Sequence, residues 1–330
     1  MDFSVILGDA LRGAISSDAA AYALMAIGLN IHFGYTGLLN FGQVGFMLVG
    51  AYGVAITVTT FGGSLWLGVV VGVACAVVLA LALGIPTLRL RADYLAITTI
   101  AAGEILRYVY RSGYTEPLTG GVFGLQGFAD EFYAINPLPP GRYGIGRVVF
   151  SERGLWILLV GWGLVVLATL VVYLLMQSPW GRVIRSIREN EDVARSLGKN
   201  VFGYKMQSLV LGGVLGALGG MVFVISTQSA HPDGYNPVVT FNLYALLVLG
   251  GAGTVFGPVL GSVIFWFLSV FLDSFLRQAI ELGFVPATIL APAEVGAVRF
   301  ALVGLGLMLL MAYRPAGILG DRRELALDVR

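Results

Sequence analysis

Few side chains in this sequence could do chemistry, and their spacing narrows what that chemistry would be. Only 12% of the 330 residues are charged, and there are two histidines and one cysteine. Neither His32 nor His231 has a second ligating residue at metal-binding spacing, so no metal site is expected. His32 falls in an apolar run and reads as a packed or capped residue; His231 precedes Pro232 in a polar connection. Cys75 stands alone in an apolar run and reads as a packing residue. The sequence contains no G-x-x-x-x-G-K-[ST], H-E-x-x-H or G-x-S-x-G, and Gly198-Lys199-Asn200 lacks the phosphate-loop pattern. An enzyme is a poor fit, and no cofactor of its own is expected.

Two charged constellations remain. Glu104 and Arg107 are three residues apart, on one face of a helix. Entering from Asp93, Glu104 would lie about 16 Å along at 1.5 Å per residue, near the bilayer centre. A carboxylate there is costly and needs a partner. It either locks helix packing through Arg107 or stands on a substrate path. The second constellation is Ser178–Lys205, which holds both lysines, Lys199 and Lys205, and Arg182, Arg185, Arg188 and Arg195. Ser178-Pro179 is a helix start, with a cap and a proline suited to the first position. Asn190 reads as a second cap, followed by Glu191 and Asp192, which favour a helix N-terminus; Gly198 suits the end. Two short helices, 179–188 and 190–197, are predicted. Val183, Ile184, Ile187, Ala194 and Leu197 would supply apolar contacts, and the arginines would face water or an acidic partner.

The elements that must position these groups are membrane helices. Apolar residues make up 57% of the chain and mean hydropathy is +0.85, against about 25% charged residues in an ordinary soluble domain. The net charge of +1, without basic patches interleaved with aromatics, gives no sign of nucleic-acid binding. A span needs about 20 apolar residues. Nine candidates, some short or broken, fall at 18–34, 43–61, 64–85, 93–111, 154–176, 203–226, 241–256, 258–278 and 298–313. The expected fold class is therefore all-α, a single polytopic membrane domain over 1–330. Arg89 and Arg91, the 178–205 segment, and Arg314, Arg322 and Arg323 fall on one side, which the positive-inside rule makes cytoplasmic. The loops 112–153, 227–240 and 279–297 then lie outside, with the N-terminus. Residues 1–18 lack the basic start of a secretory signal and read as an interfacial helix with Phe3, Ile6, Leu7, Leu11 and Ile15 toward lipid.

Polar residues interrupt the first span: Asn30, Thr36, Gly37, Asn40 and Gln43 crowd GLNIHFGYTGLLNFGQVG. Unsatisfied amides are expensive in lipid. The stretch is either a tight turn between packed helices or a broken helix whose freed groups line a polar path. Asn242, Gly250 and Gly251 repeat the theme in the seventh span. Thr98 and Thr99 read as hydrogen-bonding residues between helices. The outer loop 112–153 is rich in turns, with Gly120, Gly121, Gly124 and Gly127, and its length admits a docking or lid role.

From about Tyr22 onward the chain resembles the LivM-type permease subunit of branched-chain amino acid ABC importers. The resemblance is carried by 23–52, DYLAITTIAAGEILRYV, LTGGVFGLQGF, GRVIRSIRENEDVARSLGKNVFGYK and LVLGGAGTVFGPVLGS. It implies the ABC importer permease fold in a prokaryotic cell membrane. It implies a homologous LivH-like permease partner, two cytoplasmic ATPases (LivG- and LivF-like) that bind ATP and magnesium, and an extracytoplasmic binding protein. By analogy, 178–200 is the cytoplasmic coupling element, with Gly181, Arg182, Arg185, Ile187, Arg188, Glu189, Asn190, Ala194, Leu197 and Gly198 meeting an ATPase. Urea and short-amide importers use similar permeases. A stand-alone channel or secondary transporter would need further membrane carboxylates, and Glu104 alone qualifies. A non-transporting scaffold would leave the broken helices unexplained.

Overall fold

A computed structural model of the chain describes residues 2–88, 92–284, 291–314 and 316–320. The helices are α1 (Phe3–Ala14), α2 (Ser17–Leu29), α3 (Gln43–Thr59), α4 (Leu65–Thr87), α5 (Ala92–Arg111), α6 (Glu116–Thr119), α7 (Asp130–Ala134), α8 (Glu152–Gln177), α9 (Pro179–Glu189), α10 (Glu191–Ser196), α11 (Val201–Thr227), α12 (Pro237–Gly250), α13 (Gly257–Glu281) and α14 (Val295–Tyr313). A π-helical turn, Asn30–Tyr35, extends α2. Four short strands lie outside the bundle: β1 (Leu125–Gln126), β2 (Arg142–Ile145), β3 (Val148–Ser151) and β4 (Ser229–Ala230). β1 pairs with β4 and β2 with β3, both antiparallel.

All nine predicted spans are helical over most of their length, but fewer meet the requirements for crossing alone. Among the described residues, α4, α8, α11, α13 and α14 are long and apolar enough, and α1 with α2 and its π turn makes a sixth, bent by 43°. α3 and α12 are apolar but short. α5 is long enough, yet carries Glu104 and Arg107. The seventh span ends early: α12 stops at Gly250, and 251–256 is a break rather than helix. Of the residues behind the orientation, Arg89, Arg91, Arg322 and Arg323 lie outside the described residues, as does part of the 279–297 loop.

Small residues let the central helices meet backbone to backbone. α4 buries Gly68, Gly72, Ala76, Ala80 and Gly84, one per turn, a small-residue ridge of the kind that packs membrane helices. A Cβ on Gly53 of α3 would lie 2.4 Å from the Gly72 Cα. α11 presents Gly212, Gly216 and Gly220 in the same way; a Cβ on Gly50 would lie 2.6 Å from the Ala217 Cα, and one on Gly220 2.2 Å from the Met47 carbonyl. The resulting core is α2, α3, α4 and α11. Around it, α8 and α14 expose aliphatic rows, among them Val166 and Leu170, and Leu305 and Leu309, faces suited to lipid.

Two expectations are corrected here. Ile6 is fully buried, because α1 packs against α13, while Phe3, Leu7, Leu11 and Ile15 remain exposed. Cys75 is exposed: it stands one residue off the buried ridge of α4 at Ala76. The outer loop holds more structure than a turn-rich connector, with α6, α7 and the β2–β3 hairpin. Its first half is pinned to 228–236, where Gly124, at φ +69, lets its backbone pass so close to Ala230 that a Cβ would lie 2.1 Å from that carbonyl. The Tyr52 hydroxyl donates to the same carbonyl at 2.8 Å.

Candidate translocation and coupling sites

The polar residues of the interrupted first span converge on the π turn. Asn30, His32, Thr36, Asn40 and Gln43 are all at most 2% exposed, and each is hydrogen-bonded, as burial of polar groups requires. The Asn30 amide donates to the Thr254 carbonyl at 2.8 Å and its oxygen accepts from the Gly253 N–H at 2.8 Å. One side chain thus holds the break between α12 and α13 from both sides. Gly34 makes room for it: a Cβ there would lie 2.0 Å from the Asn30 Oδ1. The Thr36 hydroxyl donates to the Ile31 carbonyl at 2.7 Å and meets Ser208 of α11. His32 Nε2 lies 3.2 Å from the Leu209 carbonyl and Nδ1 3.0 Å from the Asn40 amide nitrogen; a single tautomer, protonated at Nε2, satisfies both. Gln43 donates to the Met25 and Gly212 carbonyls.

This knot is connected outward. Thr99 Oγ1 accepts from the Phe41 N–H at 3.1 Å, joining α5 to the 36–42 loop, whereas the Thr98 hydroxyl donates within its own helix to Tyr94. Asn242 is half-buried on α12, between exposed Phe241 and buried Leu243. Gly250 and Gly251 end α12 beneath the segment after α14: Leu319 N–H donates to the Gly250 carbonyl at 3.0 Å and Ile318 N–H to Leu249 at 3.1 Å. Gly251 has φ +111 and would bring a Cβ within 2.7 Å of Gly320 N. Ser208, Thr240, Thr254 and Tyr244 complete the knot and escaped sequence reasoning. The available signal was that Ser208 lies four residues before Gly212, in register with the glycine row of α11.

Glu104 and Arg107 form a bidentate pair, with Nε to Oε1 at 2.9 Å and an η nitrogen to Oε2 at 2.7 Å. Arg107 also reaches Asp233 at 3.0 Å, and Arg111 joins at 3.4 Å. Asp233 belongs to the connection after β4, so the pair lies toward the outer end of α5 rather than at the bilayer centre. Glu104 is seven residues from that end, about 10 Å. Tyr235, two residues after Asp233, is fully buried, and burial pushes its phenol well above the ordinary range, so it stays neutral. Glu104→Gln is expected to lower the yield of folded, assembled protein several-fold while leaving apparent substrate affinity within about twofold, because breaking a partly buried pair strands the arginine. Size-exclusion recovery and uptake KM measure the two; a well-folded variant with altered selectivity contradicts this assignment.

The charged segment forms two helices at nearly the predicted bounds. Asn190 Oδ1 accepts from the Asp192 and Val193 N–H groups at 3.1 and 3.0 Å, the expected cap. Gly198 closes α10 at φ +75. Ser178 precedes Pro179 as predicted, but its hydroxyl donates back to the Leu175 carbonyl at 2.7 Å instead of capping α9. Gly181 is buried where a Cβ would lie 2.6 Å from Met176 backbone, so α9 folds tightly under α8. Ile187, Ala194 and Val201 pack together beneath Val183 and Tyr204. Leu197, expected to pack there, is 73% exposed, because the α10 turn that buries Ala194 puts Leu197 on the other face.

The arginines divide. Arg185 donates to the Met176 carbonyl at 3.2 Å and lies 5.8 Å over the Tyr35 ring. Arg188 donates to the Gly34 carbonyl at 2.6 Å, a cation at the C-terminal end of the π turn, where the helix dipole favours it. These two reach the chain's own backbone rather than water because α9 lies directly beneath the turn. Arg182 and Glu189 face outward. Arg195 pairs with Glu191 at 2.8 Å, and Glu191 also pairs with Lys205 of α11. The outcome is a rigid unit, braced on α11 and bonded to the π turn, whose free side presents Arg182, Glu189, Val193 and Leu197.

Comparison with known proteins agrees with this architecture. The family model described as branched-chain amino acid transport system / permease component matches residues 12–312. The high-affinity branched-chain amino acid transport permease LivM of Escherichia coli K12 is 30% identical over 254 residues, which are 74% of this chain and 59% of that protein. The chain thus matches somewhat more than half the length of that relative. The probable LivM of Methanocaldococcus jannaschii is 26% identical over 342 residues, 91% of each chain. The nucleoside ABC transporter permease NupC of Lactococcus lactis is 31% identical over 201 residues, 57% of this chain and 58% of that one. With its apolar helices, buried polar knot and braced cytoplasmic unit, this chain is a multi-pass membrane protein that belongs to the branched-chain amino acid transport permease family.

Proposed function

We propose that the chain is the translocation subunit of an ATP-driven importer of branched-chain, hydrophobic amino acids in a prokaryotic cell membrane. The observation that carries the reading is the Arg188–Gly34 bond, which ties the α9–α10 unit to the π turn; Asn30 in that turn holds the α12–α13 break. In this reading two LivG- and LivF-like ATPases bind ATP and magnesium and grip the outward side of α9–α10. A LivH-like permease completes the pore, and a binding protein delivers substrate from outside. Closure of the ATPases displaces α9, Arg188 carries the movement to Gly34, and Asn30 passes it to Gly253 and Thr254. The knot then exchanges its internal hydrogen bonds for bonds to a passing zwitterion. Asn30, Thr36, Gly37, Asn40, Gln43, Thr98, Thr99, Asn242, Gly250 and Gly251 are the candidate path, with Glu104 at its outer margin. No substrate crosses the knot as it stands, since its amides are fully engaged; in this reading the path opens only when α9 moves.

The similarity to NupC favours one other substrate reading, a nucleoside, and urea or short amides would suit the same amide-rich path. Competition of labelled leucine uptake by unlabelled valine, uridine and urea, in the assembled complex, separates these. Valine alone should compete. Inhibition by uridine or urea and not by valine would reassign the substrate.

A further inference from the structure

Under the bend between α1 and α2 lies a cavity of about 470 Å³, closed on its far side by α13. Its charges are unusual for a membrane protein. Asp9, Arg12 and Asp18 all line it, and among the described residues none of the three takes part in a hydrogen bond or ion pair with another residue. Arg12 lies 5.4 Å over the Phe150 ring instead of meeting either carboxylate. Asp18 is half-buried in the first turn of a helix that crosses the bilayer, where an unpaired carboxylate is costly and marks a site. Trp266 adds a second orphan: its indole Nε1 is buried without a partner, while its ring packs edge-on to Tyr22 at 5.3 Å. A buried donor left unmade costs about 1–3 kcal/mol.

These groups define a ligand by what each lacks. Asp18 and Asp9 need a cation, and the indole N–H and Arg12 need an acceptor. A simple anion would meet two carboxylates, and an apolar molecule would leave Asp18 and Trp266 as they are. Among the described residues there is no cluster able to hold a metal ion. The Asp2 N–H bond to Gln278 sets the start of α1 at the end of α13 that the charge pattern places outside, so the cavity lies in the outer half of the molecule. We infer that this cavity binds a zwitterion that carries a primary ammonium close to an acidic group, the ammonium on Asp18 and the acidic group toward Trp266 and Arg12. Two sources share that chemistry: an ethanolamine phospholipid headgroup of the outer leaflet, and a free α-amino acid. The inference is independent of the importer reading.

The test is thermal unfolding of the full chain in detergent, titrated with dioleoyl phosphatidylethanolamine, dioleoyl phosphatidylglycerol or L-leucine. The wild type should be stabilised by the ethanolamine lipid or by leucine beyond any effect of the glycerol lipid. Asp18→Asn should shift the half-saturating concentration about tenfold upward, the loss of one ion pair worth about 1.4 kcal/mol. Trp266→Phe, which keeps the ring contact with Tyr22, should weaken it by a smaller factor and carries the test should Asp18→Asn not fold. A response to the lipid alone assigns a headgroup site, and one to leucine alone an amino-acid site. Equal responses to the two lipids with none to leucine would overturn the inference, as would variants that respond like the wild type.

Discussion

Asn30→Ala is expected to destabilise the chain by about 2–6 kcal/mol, more than any other single truncation within the knot. The estimate counts two buried backbone groups, the Gly253 N–H and the Thr254 carbonyl, each left unpaired at about 1–3 kcal/mol. Side-chain bonds between membrane helices average nearer 0.6 kcal/mol, because freed groups find new partners. That relief is small here. The Gly251–Thr254 backbone is fixed from the far side by the 316–320 segment, and Gly251 already occupies a left-handed conformation. The larger range therefore applies. Asn30→Leu, which fills the same volume without the bonds, should recover little. Denaturant unfolding in detergent measures both, and a wild-type midpoint in either variant would show that the amide does not hold the break.

Arg188→Ala should uncouple the proposed importer. The bond to Gly34 is charge-assisted, of a kind worth about 1.5–3 kcal/mol. If it transmits the stroke, uptake per ATP hydrolysed falls roughly 10–100-fold at about 1.4 kcal/mol per decade. ATPase activity and membrane insertion should persist, since Ile187, Ala194 and Val201 still seat the unit and Glu191 still braces it to Lys205. Arg188→Lys should be intermediate, because one ammonium replaces a fork of donors. Parallel phosphate release and uptake in proteoliposomes give the ratio. A ratio equal to the wild type's would remove Arg188 from the coupling route.

What the sequence disclosed and what it hid divide along chain separation. Hydropathy located every long helix, and local chemistry located the Asn190 cap, the Gly198 stop and the Glu104–Arg107 pair, all set by residues within four positions of one another. The corrections involve distant segments. Asn30 meets Thr254, His32 meets Leu209, Arg188 meets Gly34, and Arg107 meets Asp233; no local period encodes such pairs. The π turn was visible only as an excess of polar residues in an apolar run, which fits a turn and a broken helix equally. Leu197 and Cys75 were misread for a simpler reason. Each is apolar in an apolar setting, and only the helix phase, fixed by Ala194 and by the small-residue ridge of α4, decides which side it faces.

The measurement that bears most directly on the proposed role is uptake of labelled leucine into proteoliposomes, comparing this chain alone with the complex of both permeases and both ATPases. Binding protein is supplied outside and ATP inside. Leucine should accumulate only in the complete complex, only with ATP, and not with a hydrolysis-defective ATPase. Leucine entry through this chain alone, without ATP, would contradict the importer-subunit account and make the chain a channel or secondary transporter.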